Sequence, residues 1–126
     1  MDAHTRFVAV VDDDTSVCRA IQRLLRSAGI TADVFPSGDE FLYALGAAPH
    51  YAPGCVILDI QMPGTDGMEV QRRLHGRKLP AIFITAYDDD EVRERVMAAG
   101  AQAYFCKPFD DAVFIQSVCV ALDRQA

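Results

Sequence analysis

Five apolar runs alternate along this chain with five stretches of helical period, and that alternation restricts the fold more than any other feature. The runs are FVAVV at 7–11, ITADVF at 30–35, CVIL at 55–58, AIFIT at 81–85 and AQAYFC at 101–106. They are short, rich in β-branched and aromatic residues, and bounded by turn-forming residues, as strands are. Runs such as CVIL, apolar at every position rather than every second one, belong to strands buried on both faces. Between the runs the period changes. Val17, Ile21, Leu24, Leu25 and Ala28 share one helical face, with Asp14 or Thr15 able to cap its start and Gly29 to mark its end. Phe41, Leu42 and Leu45 repeat the spacing within PSGDEFLYALGAA, and Met68, Val70 and Leu74 within a helix expected over Asp66–His75. DDDEVRERVMAAG reads as a helix with acids in its first turn, and the last helix is expected over about Asp110–Arg124.

Strand–helix alternation predicts an α/β fold in which a parallel sheet carries helices on both faces. Right-handed crossovers leave few windings for it. With five strands the expected architecture is a flavodoxin-like (βα)5 three-layer sandwich with strand order 2-1-3-4-5. A chain of 126 residues, 51% of them hydrophobic, suits one such domain over residues 1–126.

Composition removes several classes of function. A net charge of −6 argues against nucleic-acid binding by this domain alone, because a phosphate backbone requires a basic face. The one basic cluster, RRLHGRK at 72–78, reads as a solvated helix end whose charge suits the helix dipole. No apolar run approaches the ~20 residues of a membrane span. The N-terminal MDAHTRFVAV lacks the basic segment of a secretory signal, so a cytoplasmic location is expected. Cys18, Cys55, Cys106 and Cys119 form no CxxC pair and read as small buried hydrophobes in a reducing compartment. His4, His50 and His75 have no ligand spacing and are expected at the surface.

In an open parallel sheet, ligands bind outside the carboxyl ends of the strands, where strand order reverses. There the first run is followed by Asp12, Asp13 and Asp14, the third by Asp59 and the fifth by Lys107-Pro108, while the fourth ends in Thr85. Strands 1 and 3 are neighbours in the expected order, so Asp12, Asp13 and Asp59 converge. A carboxylate closing a buried strand is costly unless it is paired or bound to a metal. Three such groups repel one another, and a divalent cation relieves the repulsion. Oxygen-only ligands with room for water suit Mg²⁺, and without His or Cys zinc is not expected. Lys107 and Thr85 add an ammonium and a hydroxyl opposite the acids, the donors that a phosphoryl group requires. Together these are the parts of a phosphoryl-transfer site, in which a carboxylate can form an aspartyl phosphate. Each part alone has a plainer explanation: an aspartate run caps helices, threonine favours strands, and Lys-Pro makes turns. Their joint placement at the strand ends carries the signal.

From about Phe7 to Leu122 the chain resembles the CheY-like receiver domains of two-component response regulators, on the motifs VVDDD, VILDIQMPGTDG, FITA and YFCKPF. The phrases FPSGDEFL, LDIQMPG, GMEVQRRL and KPFDD resemble the nitrogen-fixation, FixJ-like branch. The resemblance implies that Asp59 is the phosphoacceptor. It implies Mg²⁺, with Mn²⁺ as a substitute, on Asp12, Asp13, Asp59 and the backbone carbonyl of Gln61. It implies that Thr85 is the switch hydroxyl and that Lys107 pairs with a phosphoryl oxygen beside a cis peptide at Pro108. Tyr104 matches the aromatic that swings inward on activation. The small Ala86 is expected to leave the site open to phosphodonor and water. The implied donor is a histidine kinase or phosphotransfer protein docking near the first helix, or a small acyl phosphate. The domain would be a signalling phosphoacceptor rather than an enzyme, assisting only its own phosphorylation and dephosphorylation. In the FixJ-like branch a helix-turn-helix DNA-binding domain usually follows. None follows within these residues, so the chain is expected either to stand alone or to be a piece of a longer regulator.

Rival readings lack a required part. A flavodoxin-type FMN binder needs a Ser/Thr/Gly-rich phosphate loop where this chain has DDDTS. A haloacid-dehalogenase-type phosphatase needs an acid two residues after its nucleophile, where this chain has Gln61. A degenerate receiver serving only as a binding module would lack a key residue, and none is missing. The final helix adds a surface feature. Phe114, Val118 and Leu122 supply the stripe that packs on a sheet, with Ile115 and Ala121 beside it. Val113 and Val120 are left over, with Cys119 at the margin. They mark the helix 4–strand 5–helix 5 face as the expected contact with a partner, a second copy of the chain.

Overall fold

The computed structural model describes residues 7–48 and 50–123. Its elements run β1 (Phe7–Val11), α1 (Thr15–Ser27), β2 (Thr31–Phe35), α2 (Gly38–Ala47), β3 (Val56–Asp59), α3 (Gly67–Arg73), β4 (Ala81–Thr85), α4 (Asp90–Ala98), β5 (Ala103–Cys106) and α5 (Asp111–Asp123). The five strands form one parallel sheet in the order β2-β1-β3-β4-β5, as the alternation predicts.

Every residue of β3 and β4 is buried, because successive side chains enter two different cores. On one face Val8, Val10, Ile57, Ile82 and Ile84 pack with Cys18, Ile21 and Leu25 of α1 and Phe114, Val118 and Leu122 of α5. On the other, Val11, Val56, Leu58 and Phe83 pack with Phe41 and Leu45 of α2, Val70 of α3 and Val96 of α4. Each large apolar side chain fully buried this way contributes roughly 1.5–3 kcal/mol. The sheet therefore needs apolar residues along its central strands up to their carboxyl ends, where Asp59 and Thr85 stand, which is the pattern seen in the sequence. The edge strands β2 and β5 are covered less, and β5 is half-buried throughout.

Side chains just outside the helices fix their starts. Asp14 caps α1, Ser37 caps α2, Asp66 caps α3 and Asp89 caps α4. The third helix is therefore shorter than expected: Asp66 is its cap and Leu74 lies at its C-cap. α1 ends at Ser27, which leaves Ala28 exposed rather than on the packed face, and Gly29 follows at φ 79°. Asp110 accepts from the Val113 N–H ahead of α5 instead of opening that helix, and Arg124 lies outside the described residues.

Cys18 and Cys55 are buried as expected, whereas Cys106, on the edge strand β5, and Cys119, at the margin of the packed stripe of α5, are only half-buried. His50 and His75 are exposed, and His4 falls outside the described residues. In the basic cluster Arg72 and Arg73 both pair with Glu69, holding that carboxyl down at about 2, and both remain solvated. No helix among the described residues is long and apolar enough to cross a membrane.

Candidate functional site

Val11 of β1 and Leu58 of β3 are in register, so the residues that follow them, Asp12 and Asp59, leave the sheet side by side. Carboxylate oxygens of Asp12, Asp13 and Asp59 lie within 4.8 Å of one another. Asp12 and Asp59 are buried and Asp13 is exposed, so the cup opens to solvent on the Asp13 side. Lys107 reaches in from the end of β5. Its Nζ lies 3.0 Å from Asp12 Oδ2 and 3.8 Å from Asp59 Oδ1. The peptide bond from Lys107 to Pro108 is cis, as the resemblance implies.

Asp12 is held by every polar group it has. Its N–H donates to the Phe35 carbonyl at 3.1 Å, and its own carbonyl accepts from the Cys18 thiol at 3.3 Å. Its Oδ1 accepts from the Asp14 N–H at 2.9 Å, while Oδ2 takes Lys107. A buried carboxylate satisfied this fully is preorganised. The same burial, with Asp12 close by, pushes the Cys18 thiol up to about 11 and makes it a neutral donor rather than a nucleophile.

Asp59 is less well compensated. Burial, and then the charge of Asp12, push its carboxyl up to about 6, against the opposing pull of Lys107 and the Gln61 main-chain N–H. Three carboxylates thus face one ammonium and leave two negative charges uncompensated. An all-oxygen donor set with that residual charge fits a hard divalent cation.

The loop after β3 folds back closely on Asp59. A Cβ on Gly67 would stand 2.3 Å from the Asp59 carbonyl oxygen and 3.0 Å from Ile60 Cα. The Gly67 N–H donates to the Ile60 carbonyl at 3.0 Å. Ile60 and Met62 are buried and anchor this loop, while Gln61 between them is exposed. Gly67 stands in the quoted TDG motif, yet only the three-dimensional path shows why no larger residue fits there.

On the other side, the buried Thr85 hydroxyl is engaged by its own loop. It donates to the Tyr87 carbonyl at 3.1 Å and accepts the Tyr87 N–H at 3.1 Å. Tyr104, half-buried on β5, accepts the Asp89 N–H at 3.2 Å. Ala86 is exposed beside Thr85. The structure therefore brings together Asp12, Asp13, Asp59, Thr85 and Lys107 at the carboxyl edge of the sheet, with Gln61, Ala86 and Tyr104 around them. Val113, Cys119 and Val120 lie apart, on α5. Val113 is 52% and Val120 40% exposed, whereas Cys119 partly packs on the core beneath.

Residues 8–119 match the response regulator receiver domain family. The chain is 36% identical over 124 residues to the response regulator protein TmoT of Ectopseudomonas mendocina, covering 97% of this chain and 55% of that protein. It is 34% identical over 121 residues to the transcriptional regulatory protein FixJ of Azorhizobium caulinodans, covering 94% of this chain and 56% of that protein. The chain thus spans about half the length of these curated relatives. A crystal structure of a response regulator receiver protein from Burkholderia phymatum superposes with a TM-score of 0.85 at 64% identity, covering 93% of this chain and 94% of that one. Matched across nearly its whole length by the family model, by curated relatives above 30% identity and by a solved receiver at 64%, the chain belongs to the response regulator receiver domain family.

Proposed function

We propose that Asp59 is the residue on which this receiver is phosphorylated, with Asp12 and Asp13 as its metal-binding acids and Lys107 as its phosphoryl partner. The observation that carries this is the placement of Asp59. It closes a fully buried strand 3.8 Å from the Lys107 ammonium and within 4.8 Å of Asp12 and Asp13. Asp12, Asp13, Asp59 and the Gln61 carbonyl would hold Mg²⁺, or Mn²⁺ in its place. When bound, the cation supplies positive charge against the oxygens of the transferring phosphoryl group.

The chain's own residues do the rest. An Asp59 carboxylate oxygen attacks phosphorus, and the bond from phosphorus to the donor breaks with its electron pair leaving on the donor. That donor is the imidazole of a histidine kinase or phosphotransfer protein, or the carboxylate of an acyl phosphate. Lys107, held at Asp12, lies within reach of an oxygen of the incoming group. Thr85 has one hydroxyl proton, now given to Tyr87. Turning it to a phosphoryl oxygen frees the β4–α4 loop and the space that Tyr104 can fill. Ala86 leaves that side of the site open.

Intact mass after incubation with acetyl phosphate and Mg²⁺ tests the assignment. The wild type should gain one phosphoryl group and Asp59→Ala none. Equal labelling of the variant would refute Asp59 as the acceptor.

A further inference from the structure

We infer that Arg93 is a positioning residue that holds Thr85 and Tyr104 in their resting arrangement and thereby restrains phosphorylation of this receiver. The inference rests on Asp59 being the acceptor. Arg93 stands on α4 but joins three elements. Its Nη2 lies 2.7 Å from Asp88 Oδ1 in the loop before the helix, and its Nη1 lies 2.9 Å from Asp90 Oδ1. Its guanidinium carbon sits 5.3 Å from the centroid of the Tyr104 ring on β5. Tyr104 in turn reaches the same loop. Its hydroxyl accepts the Asp89 N–H at 3.2 Å and points to the Tyr87 carbonyl at 3.5 Å. That carbonyl is also the acceptor of the Thr85 hydroxyl, at 3.1 Å. One continuous set of contacts thus runs from Arg93 through Tyr104 and Tyr87 to Thr85.

The contacts differ in what they do to the switch. The pair with Asp90 is one helical turn long and survives any movement of the loop, so it favours neither arrangement. The pair with Asp88 and the stacking on Tyr104 require the loop and the ring where they now stand. Only such differential contacts shift an equilibrium between two arrangements. While they hold, the Thr85 proton stays on Tyr87 and is not available to a phosphoryl oxygen. Loosening them raises the fraction of molecules ready to receive one, and the apparent rate rises with that fraction. Arg93 and its two aspartate partners are substantially exposed and Tyr104 is only half-buried, and ion pairs and cation–π contacts in such settings are weak. The expected change is therefore about two- to fivefold rather than several decades.

Two variants with opposite charge changes separate a latch from a field effect. Arg93→Gln removes a positive charge and Asp88→Asn a negative one, yet both should free the loop. Without any phosphodonor, hydrogen exchange at the Asp89 amide should be about two- to fivefold faster in each variant than in the wild type. With acetyl phosphate and Mg²⁺, labelling should accelerate by a similar factor in both. Unchanged Asp89 exchange in Arg93→Gln would overturn the inference. So would faster labelling in one variant with slower labelling in the other, which is the signature of charge alone, or unchanged labelling in both. If none of the three proteins is labelled, the reading of Asp59 fails instead, and the exchange rates alone decide whether Arg93 is a latch.

Discussion

Asp13 and Asp14 are adjacent, yet the structure gives them separate tasks. Asp14 Oδ1 accepts the N–H groups of Ser16 and Val17 and closes the open end of α1. Asp13 belongs to the acidic cup and faces solvent. Replacing Asp14 by Ala should cost about 1 kcal/mol of stability, the usual value of an N-cap, and leave metal affinity nearly unchanged. If Asp13 is a ligand as proposed, replacing it by Ala should weaken Mg²⁺ or Mn²⁺ affinity by roughly tenfold or more, because an oxygen donor and one charge are lost. Metal titrations alongside urea unfolding of the two variants check this, and a weaker metal affinity in Asp14→Ala would reverse the register. The cap was legible in the sequence as one of two candidates, Asp14 and Thr15, because both stand directly ahead of a helical period, and the structure selects Asp14. The order of preference at Lys107 was not legible there. The sequence sets Lys107 opposite the acids without ranking them, and its ammonium lies closer to Asp12 than to Asp59. A flexible lysine stem reaching across from another strand end leaves no local pattern from which that distance can be read.

At the scale of elements, the turn between β3 and α3 packs closely on the backbone of Asp59 and Ile60. Gly67 permits the chain to pass closer to the Asp59 carbonyl than any Cβ allows. Gly67→Ala should destabilise the fold by about 1–3 kcal/mol, the range for overpacking, and shift the amide signals of Asp59 and Ile60. An unchanged urea midpoint would show that the close approach carries no cost. The loop after β4 is the counterpart on the switching side. Thr85→Ala removes both of the hydroxyl's bonds to Tyr87. It should still accept a phosphoryl group on Asp59 but lose the amide spectral response of residues 86–91 and Tyr104. A full response in that variant would remove Thr85 from the switch. The strands and helices themselves were plain in sequence, because each has its own period and its own cap. Ends were less so: Asp66 and Asp110 were expected to open their helices, and the hydrogen bonds instead place each just ahead of one. The ties between elements, such as Arg93 over Tyr104 or Gln71 donating to the Val96 carbonyl of α4, join residues whose spacing carries no period, and so nothing in the sequence announces them.

For the whole molecule, two apolar layers on one parallel sheet account for the apolar residues of β1, β3 and β4, but α5 carries more apolar surface than its layer uses. Phe114, Val118, Ala121 and Leu122 are buried against the sheet. Val113 and Val120, about two turns apart, remain exposed on the outer side, with Cys119 half-buried between the two surfaces. Tyr104 and the loop bound by Thr85 lie with α4, in the layer opposite the one that α5 packs into. Single exposed apolar residues are ordinary, so exposure alone does not establish a contact. We propose, from the exposure of Val113 and Val120 and from the resemblance, that the phosphorylated protein self-associates through the α4–β5–α5 face. Val120→Glu should change stability by less than about 0.5 kcal/mol, because the side chain makes little of the core. It should leave the labelling rate of Asp59 intact. Burying the new carboxylate in a contact without a partner is costly, so association should weaken by roughly tenfold or more. Sedimentation of phosphorylated wild type and variant at matched high-micromolar concentration measures the difference. A wild type that stays monomeric, or a variant that associates equally well, would place the contact elsewhere.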